Sequence, residues 1–592
     1  MNSFFRMFRP RDTTFILAVV ILGFGLYANS LNGQFLWDDH HFITGNIYIK
    51  DWRYLPKLFT QTLASGHFVE STYYRPIQEL SYMIDYHLWG LNVQGYHLTN
   101  ILLHILNTIL LFYFLNCTQV SRPGTILASL LFLVHPVNAE AVSALAGRGE
   151  PLAALFMLLC LIYYHKNTDD FKMNRAGLIF LSYTLALFTK ENTIIFPLVL
   201  FVYHFAFRKK ATLKTIWPIT LSIVVYFTTR MTLVHSLPNV GQRIEGGAQR
   251  LPGFFDAFVR YLKIFFIPTD LHFDYGQPTF TWAHPSVVAG ILLIIGLIIT
   301  AWKWREQKPF QSFAIGWFLV TLAPYTNVYL LYSYMAEHYL YFPSMGFFML
   351  VAGMGATTLS HKTGKLSWTI LFIILGSLTI WQTNYWRDAL IFLNRTISYN
   401  PTSAGLYNNL GVEYSRRADI ENEIKAYKRA LHFDPNYALA HRNLGIAYYS
   451  QGQLDAARAS LERALMLERE DIKTRNALAV VYQKQGLATQ AIQIWEETIW
   501  RNPDFAGGYN NLGALYSEEN ELDKAVYYLQ KAVAIDSTNT ESYFNLAVVY
   551  YKKGELEKAD AVLTKILQLN GRHSPAYFLK KEIESRKLPS VR

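Results

Sequence analysis

Apolar positions fall into two regimes along this chain. Up to about residue 386 they gather in long runs with few charges. From Ala404 onward they alternate with polar residues in the manner of a soluble helical protein. Runs near 13–31, 96–116, 123–138, 148–165, 175–189, 192–207, 213–232, 283–302, 310–328, 336–357 and 366–386 predict eleven membrane helices. The weakest are 123–138 and 192–207 against the about 20 apolar residues a span requires. Two amphipathic stretches, 51–65 and 75–90, rich in Trp, Tyr and Leu, are expected to lie in the membrane interface.

Basic residues set the orientation. Arg6, Arg9 and Arg11 precede the first span, and Arg122, the group Lys166, Lys172 and Arg175, the group Arg208, Lys209, Lys210 and Lys214, the group Lys303, Arg305 and Lys308, and the pair Lys362 and Lys365 all follow on one side. The short turns on the opposite side hold only Arg148 and Lys190. The segment 254–268 is apolar too, but it contains Asp256, Arg260 and Lys263. Counting it as a span would move Lys303, Arg305 and Lys308 outside, so it is read as an interfacial helix on the outer face. The N-terminus is then cytoplasmic and, after an odd number of spans, the C-terminal part is extracytoplasmic. A long first outer loop covers 32–95 and a second covers 233–282. No small-x-small cleavage motif follows the first apolar run, which reads as an uncleaved membrane helix rather than a signal peptide.

From Ala404 a 34-residue period runs through five units to 573, and 574–592 reads as a capping helix and tail. The eighth position is Gly411, Gly445, Ala479, Gly513 and Ala547. The eleventh is Tyr414, Tyr448, Tyr482, Tyr516 and Tyr550. Small residues at the eighth position let paired helices approach closely, which is the tetratricopeptide pattern. Four units carry Asn at the sixth position: Asn409, Asn443, Asn511 and Asn545. Amides that donate and accept could hold an extended acceptor peptide along a groove. The competing reading is local packing.

Composition agrees with the membrane reading: 52% of the 592 residues are hydrophobic and 16% are charged, against roughly 25% charged in soluble domains. The net charge of +11 is accounted for by the loops on the basic side, and no basic patch interleaved with aromatics points to nucleic acid. Cys117 and Cys160 offer neither a disulfide framework nor metal spacing.

Five polar clusters fall on the outer side. Trp37-Asp38-Asp39-His40-His41 places two carboxylates at a membrane boundary, where acids are costly and usually functional. Their mutual repulsion raises one pKa, so one can act as a base and the other can orient it. Adjacent histidines make a poor chelate, so no metal or other cofactor is required, and a divalent ion is disfavoured. The others are Tyr73-Tyr74-Arg75-Pro76, the stretch His135 to Glu150 with Glu140 and Arg148, Thr189-Lys190-Glu191-Asn192, and Ala336-Glu337-His338-Tyr339. Arg and Lys there suit a phosphate. A carboxylate base, a phosphate clamp and an outward face together suit glycosyl transfer to a hydroxyl.

At WDDHHFI (37–43), YYRPIQELSYMIDYHLWGLNVQGYHLTNILLH (73–104), HPVNAEAVSALAGRGEPLAALF (135–156), LALFTKENTIIFPL (185–198) and MAEHYLYFPSMGF (335–347) the chain resembles the transmembrane and tetratricopeptide repeat-containing O-mannosyltransferases and their prokaryotic relatives. The resemblance implies an all-α polytopic glycosyltransferase domain of the type C fold over 1–400, followed by a tetratricopeptide superhelix. It implies a polyprenyl- or dolichyl-phosphate sugar donor, with Ser or Thr of an exported protein as acceptor. By position it implies Asp38 as base and Asp39 as its orienting partner. Arg75, Arg148 and Lys190 become donor-phosphate candidates, with Glu140, Glu191 and Glu337 holding those cations or touching the sugar. The chain departs from the family at His338, where Arg is usual. Histidine is a weaker, pH-dependent phosphate contact. The membrane would be a prokaryotic cell membrane, or the endoplasmic reticulum with lumenal repeats. A non-catalytic membrane scaffold recruiting envelope partners is the alternative, and it would tolerate loss of the outer clusters. A lipid or polysaccharide transporter would line its helix interiors with polar groups instead.

Overall fold

The computed structural model describes residues 10–67, 73–118, 120–234, 247–276, 278–327, 333–570 and 572–587. Arg6, Arg9, residues 235–246 of the second outer loop and the end of the C-terminal tail lie outside them. The chain divides into two compact units, Met1–Pro401 and Thr402–Arg592. Every described regular element in both is helical.

In the first unit each expected span falls on a helix. Among the described residues seven helices are long and apolar enough to cross a membrane, or eight if Arg122–Val134 and Pro136–Ser143, bent by 50°, make one broken span. The expected count of eleven is therefore not reached. The shortfall lies in Arg122–Val134, Met173–Thr189, Phe196–Phe207 and Pro309–Leu322, which have 13, 17, 12 and 14 residues. At 1.5 Å per residue they reach about 18–26 Å, short of the hydrocarbon thickness. All but one of them are continued by a single 3-10 turn, at Pro136–Asn138, Glu191–Ile195 and Ala323–Tyr325. Polar motifs interrupt the helices at these turns.

A polar seam on the 25-residue helix Val93–Cys117 organises these breaks. His97, Asn100, His104 and Asn107 recur at three- and four-residue spacing and are buried, so they share one face. Asn100 Nδ2 donates to the Val142 carbonyl at 3.1 Å and Asn107 Nδ2 to that of Pro151 at 2.8 Å. His104 Nδ1 lies 2.8 Å from the Tyr341 hydroxyl. Asn100 thus satisfies a carbonyl at the C-terminal end of the short helix Ala139–Ser143, where no intrahelical partner follows, and Asn107 ties the same face to the start of Gly149–Asp169.

The first outer loop has its own small core around Ile43, Ile49, Leu58, Tyr82 and Met83. Residues 75–90 become the helix Pro76–Trp89, whereas 51–65 folds into short turns around the six-residue helix Leu55–Thr60. Glu79 pins the loop: its Oε1 accepts from Asn46 Nδ2 at 3.1 Å and from Ala64 N–H at 3.0 Å. Most of the segment 254–268 lies in the helix Gly247–Phe266, which ends two residues before it does. One face packs Phe258, Tyr261 and Phe265 into the main core, and Asp256 is paired with Arg260 at 2.7 Å.

The second unit is a run of helix pairs from Ala404–Arg416 and Ile420–Phe433 to Thr540–Lys552 and Leu556–Leu569, with Ser574–Lys587 after them. The small eighth residue does what its spacing predicts. A Cβ at Gly513 would sit 2.5 Å from Leu529 Cγ and 3.2 Å from the Ala525 carbonyl oxygen. Gly513→Ala is expected to destabilise the repeats by about 1–3 kcal/mol, seen as a lowered thermal midpoint. Gly405→Ala, with nothing nearer than 4.0 Å, should leave the midpoint unchanged. The sixth-position amides are used between repeats. Asn443 Nδ2 donates to Asn408 at 3.0 Å, Asn511 Nδ2 to Asn476 at 2.7 Å and Asn545 Nδ2 to Asn510 at 3.0 Å. Asn409 accepts from Asn408 within its own helix at 3.5 Å. In this arrangement the amide donors are engaged in stacking the repeats, which favours local packing over an open peptide ladder.

Candidate active site

The two acidic residues after the first membrane helix have different fates. Trp37 takes a left-handed backbone conformation, φ 46°, which is strained for a bulky side chain and costs about 1–3 kcal/mol. Its indole packs against Phe273 at 5.3 Å and Phe392 at 6.3 Å, which holds the turn. Beyond it Asp39 is buried and spent on structure. Its Oδ2 accepts from Leu36 N–H at 2.8 Å and its Oδ1 from Ala146 N–H at 2.7 Å. Asp38 accepts no side-chain hydrogen bond among the described residues. Burial pushes the Asp38 carboxyl up to about 6, and the charge of His338 draws it down part of the way. Burial raises Asp39 further, to about 7, against the pull of its two backbone donors. Asp38 is thus a carboxylate free to take a proton, and Asp39 fastens its loop to the turn at residue 146.

Glu140 receives His338. The His338 N–H donates to Glu140 Oε2 at 2.9 Å, and His338 Nδ1 lies 2.6 Å from Oε1. The neighbouring Glu337 is buried and accepts from the Tyr275 hydroxyl at 2.9 Å. His338 therefore enters the site tied to a carboxylate and electrostatically coupled to Asp38, rather than as an isolated cation.

Arg75, Lys190 and Glu191 come together from two distant segments. Arg75 Nε donates to Glu191 Oε2 at 2.8 Å, while Tyr74 N–H donates to Oε1 at 2.8 Å. Lys190 pairs with Glu150 in a short contact, and the Tyr325 hydroxyl donates to the same Glu150 oxygen at 3.2 Å. Tyr73 packs 4.5 Å from the Arg75 guanidinium. Tyr339 joins the two clusters: its ring lies 4.5 Å from that of His338 and stacks 4.4 Å from that of Tyr325. The two cations and two carboxylates balance, and an incoming phosphate could compete with Glu150 and Glu191 for the cations.

Arg148 is not brought to this cluster. Its side chain is 0% exposed and pairs with Asp85 at 2.6 Å. Its Nε donates to Asn100 at 2.7 Å, and one Nη donates to the Tyr96 carbonyl at 3.0 Å. The guanidinium is consumed in holding the first outer loop to the seam. Among the described residues, no three His, Cys, Asp or Glu side chains converge as a metal-binding group. Sequence reasoning missed Glu150 as a partner of Lys190, and it missed Tyr325, Tyr339 and Tyr275. Glu150 was visible beside Arg148, but its distance of 40 residues from Lys190 hid the pair. The tyrosines carry no charge signal in an aromatic-rich chain. The helix Ala389–Tyr399, which brings Phe392 to Trp37, was also missed.

Family models described as TPR repeat and tetratricopeptide repeat match residues 419–452, 447–486 and 515–554 and residues 540–573, respectively. Protein O-mannosyl-transferase F38B6.6 of Caenorhabditis elegans is 25% identical over 417 residues, covering 67% of this chain and 59% of that protein. Human protein O-mannosyl-transferase TMTC2 is 24% identical over 515 residues, covering 69% and 61%. The chain thus spans about three fifths of these curated relatives. Among solved structures, YrrB, a TPR protein with an unusual peptide-binding site, matches at 23% identity over 33% of this chain and 100% of that one, with a TM-score of 0.28. By sequence, then, this chain is similar to the TMTC-type protein O-mannosyl-transferases, and it carries an apolar helical unit followed by tetratricopeptide repeats.

Proposed function

We propose that the chain is a membrane glycosyltransferase that moves a sugar, mannose by the relatives' names, from a polyprenyl-phosphate carrier to Ser or Thr of an exported polypeptide. The observation that carries it is the contrast between Asp39, anchored by two backbone donors, and Asp38, which accepts no side-chain hydrogen bond among the described residues and feels the charge of His338. Asp38 takes the proton of the acceptor hydroxyl as its oxygen attacks the anomeric carbon. The bond from that carbon to the donor phosphate breaks, and the electron pair leaves on the lipid phosphate. Arg75 and Lys190 receive that charge, Glu191 and Glu150 orient them, and the Glu140–His338 pair sets the field at Asp38. This step draws its positive charge from side chains and requires no metal. The bias of the basic loops supports an extracytoplasmic site, and repeats on that same side would hold the acceptor.

The test is transfer from polyprenyl-phosphate mannose to a Ser/Thr peptide by the purified protein. Wild-type transfer is expected, and full activity in both Asp38→Asn and Asp39→Asn would overturn the assignment. The pH profile is a second check. A base works only when ionised, so kcat/KM should fall with unit slope as pH drops below about 6, following the Asp38 carboxyl. A profile flat from pH 5 to 8 would remove Asp38 from the proton transfer.

A further inference from the structure

Beside this site the membrane unit holds a cavity of about 540 Å³, within the range of ligand pockets. It lies between the C-terminal half of Gly247–Phe266, the segment that follows it, and the end of Ala389–Tyr399. We propose that this cavity binds the acceptor as an extended, uncharged stretch of polypeptide. The inference rests on the glycosyltransferase reading for what happens next, but not for the binding itself.

Three observations carry it. First, the charges of the wall are already answered. Lys263 pairs with Asp270 at 3.2 Å and Arg260 with Asp256 at 2.7 Å. Asp274 accepts from Gly276 N–H at 2.8 Å and from Asn400 Nδ2 at 3.1 Å. The two cations and two carboxylates that line the cavity, Arg260, Lys263, Asp270 and Asp274, cancel in charge, which suits an uncharged chain better than an anion. Second, the remaining surface is apolar and aromatic: Ile264, Ile267, Met335, Tyr334 and a Tyr399 ring stacked 4.2 Å from His272. Such walls suit side chains and peptide planes. Third, the segment that forms part of the wall is tied to the proposed site at two places. Phe273, between the lining residues His272 and Asp274, packs against Trp37, the residue before Asp38, and the lining Tyr275 donates to Glu337, the residue before His338.

Photo-crosslinking tests this with the full-length protein in detergent and a Ser/Thr peptide bearing a benzophenone. Cross-links are expected within 264–278 and 334–335. They should fall at least tenfold in Ile267→Trp, which fills the cavity from a residue that is 55% exposed and carries no interaction of the catalytic groups. The acceptor KM should rise by a similar factor, with donor KM unchanged. Cross-links elsewhere only, or undiminished in Ile267→Trp, overturn the proposal even if transfer proceeds. So does labelling of this wall by a benzophenone mannosyl oligosaccharide in place of the peptide. Cross-links as expected without any transfer would leave the peptide site standing and refute the enzymatic reading.

Discussion

Asp38→Asn is expected to lower the rate of transfer by about 10²- to 10⁴-fold, the usual contribution of a positioned general base. The substitution keeps the size of the side chain and removes only its ability to accept a proton. Asp38 holds no other described side chain in place, so the thermal midpoint should stay at the wild-type value. Donor and acceptor KM should change little, because the loss falls in the transition state. Asp39→Asn should behave differently. Leu36 and Ala146 each present an N–H to it, and an amide can accept only one of them well. Its loss should appear in stability as well as rate. Steady-state kinetics with unfolding curves on the same preparations separate the two. If Asp39→Asn lost only rate and Asp38→Asn only stability, their roles would be reversed.

Arg148→Met is expected to destabilise the membrane unit by about 3–5 kcal/mol, the scale for breaking a buried ion pair. Asp85 would keep a charge with no partner, and Asn100 and the Tyr96 carbonyl would each lose a donor. The double variant Arg148→Met with Asp85→Leu should recover part of the loss, because no buried charge is then left alone. The measurement is the thermal midpoint of the purified protein. A donor-phosphate clamp at this position would instead raise the donor KM and leave the midpoint intact, and that result would return Arg148 to the active site.

Much of this architecture was legible along the chain. A 34-residue period written in small residues and tyrosines dictates paired helices, because only a small eighth residue allows the approach seen at Gly513. Long apolar runs dictate membrane helices, and charged motifs between them mark where the helices break. Asp38, Arg75, Lys190 and His338 were visible because ionisable groups at a membrane boundary are too costly to be incidental. Local chemistry determined all of these.

Partnership was decided only in three dimensions. Arg75 and Arg148 look alike in sequence, each a cation beside an aromatic or glycine-rich turn on the same membrane face. Folding gives Arg148 a buried carboxylate and a seam of carbonyls, and leaves Arg75 in a cluster at the edge of the site. Asp38 and Asp39 are neighbours of identical type, yet the left-handed turn at Trp37 is followed by one carboxylate held by two backbone N–H groups and one held by none. The sixth-position asparagines Asn443, Asn511 and Asn545 likewise donate to the fifth-position asparagines of the preceding repeat. Periodicity and hydrophobicity are carried by each residue alone, so they survive in one dimension. Which charged group meets which partner depends on segments about 100–200 residues apart, such as Glu140 with His338 or Arg75 with Glu191, and only the packed helices bring them together.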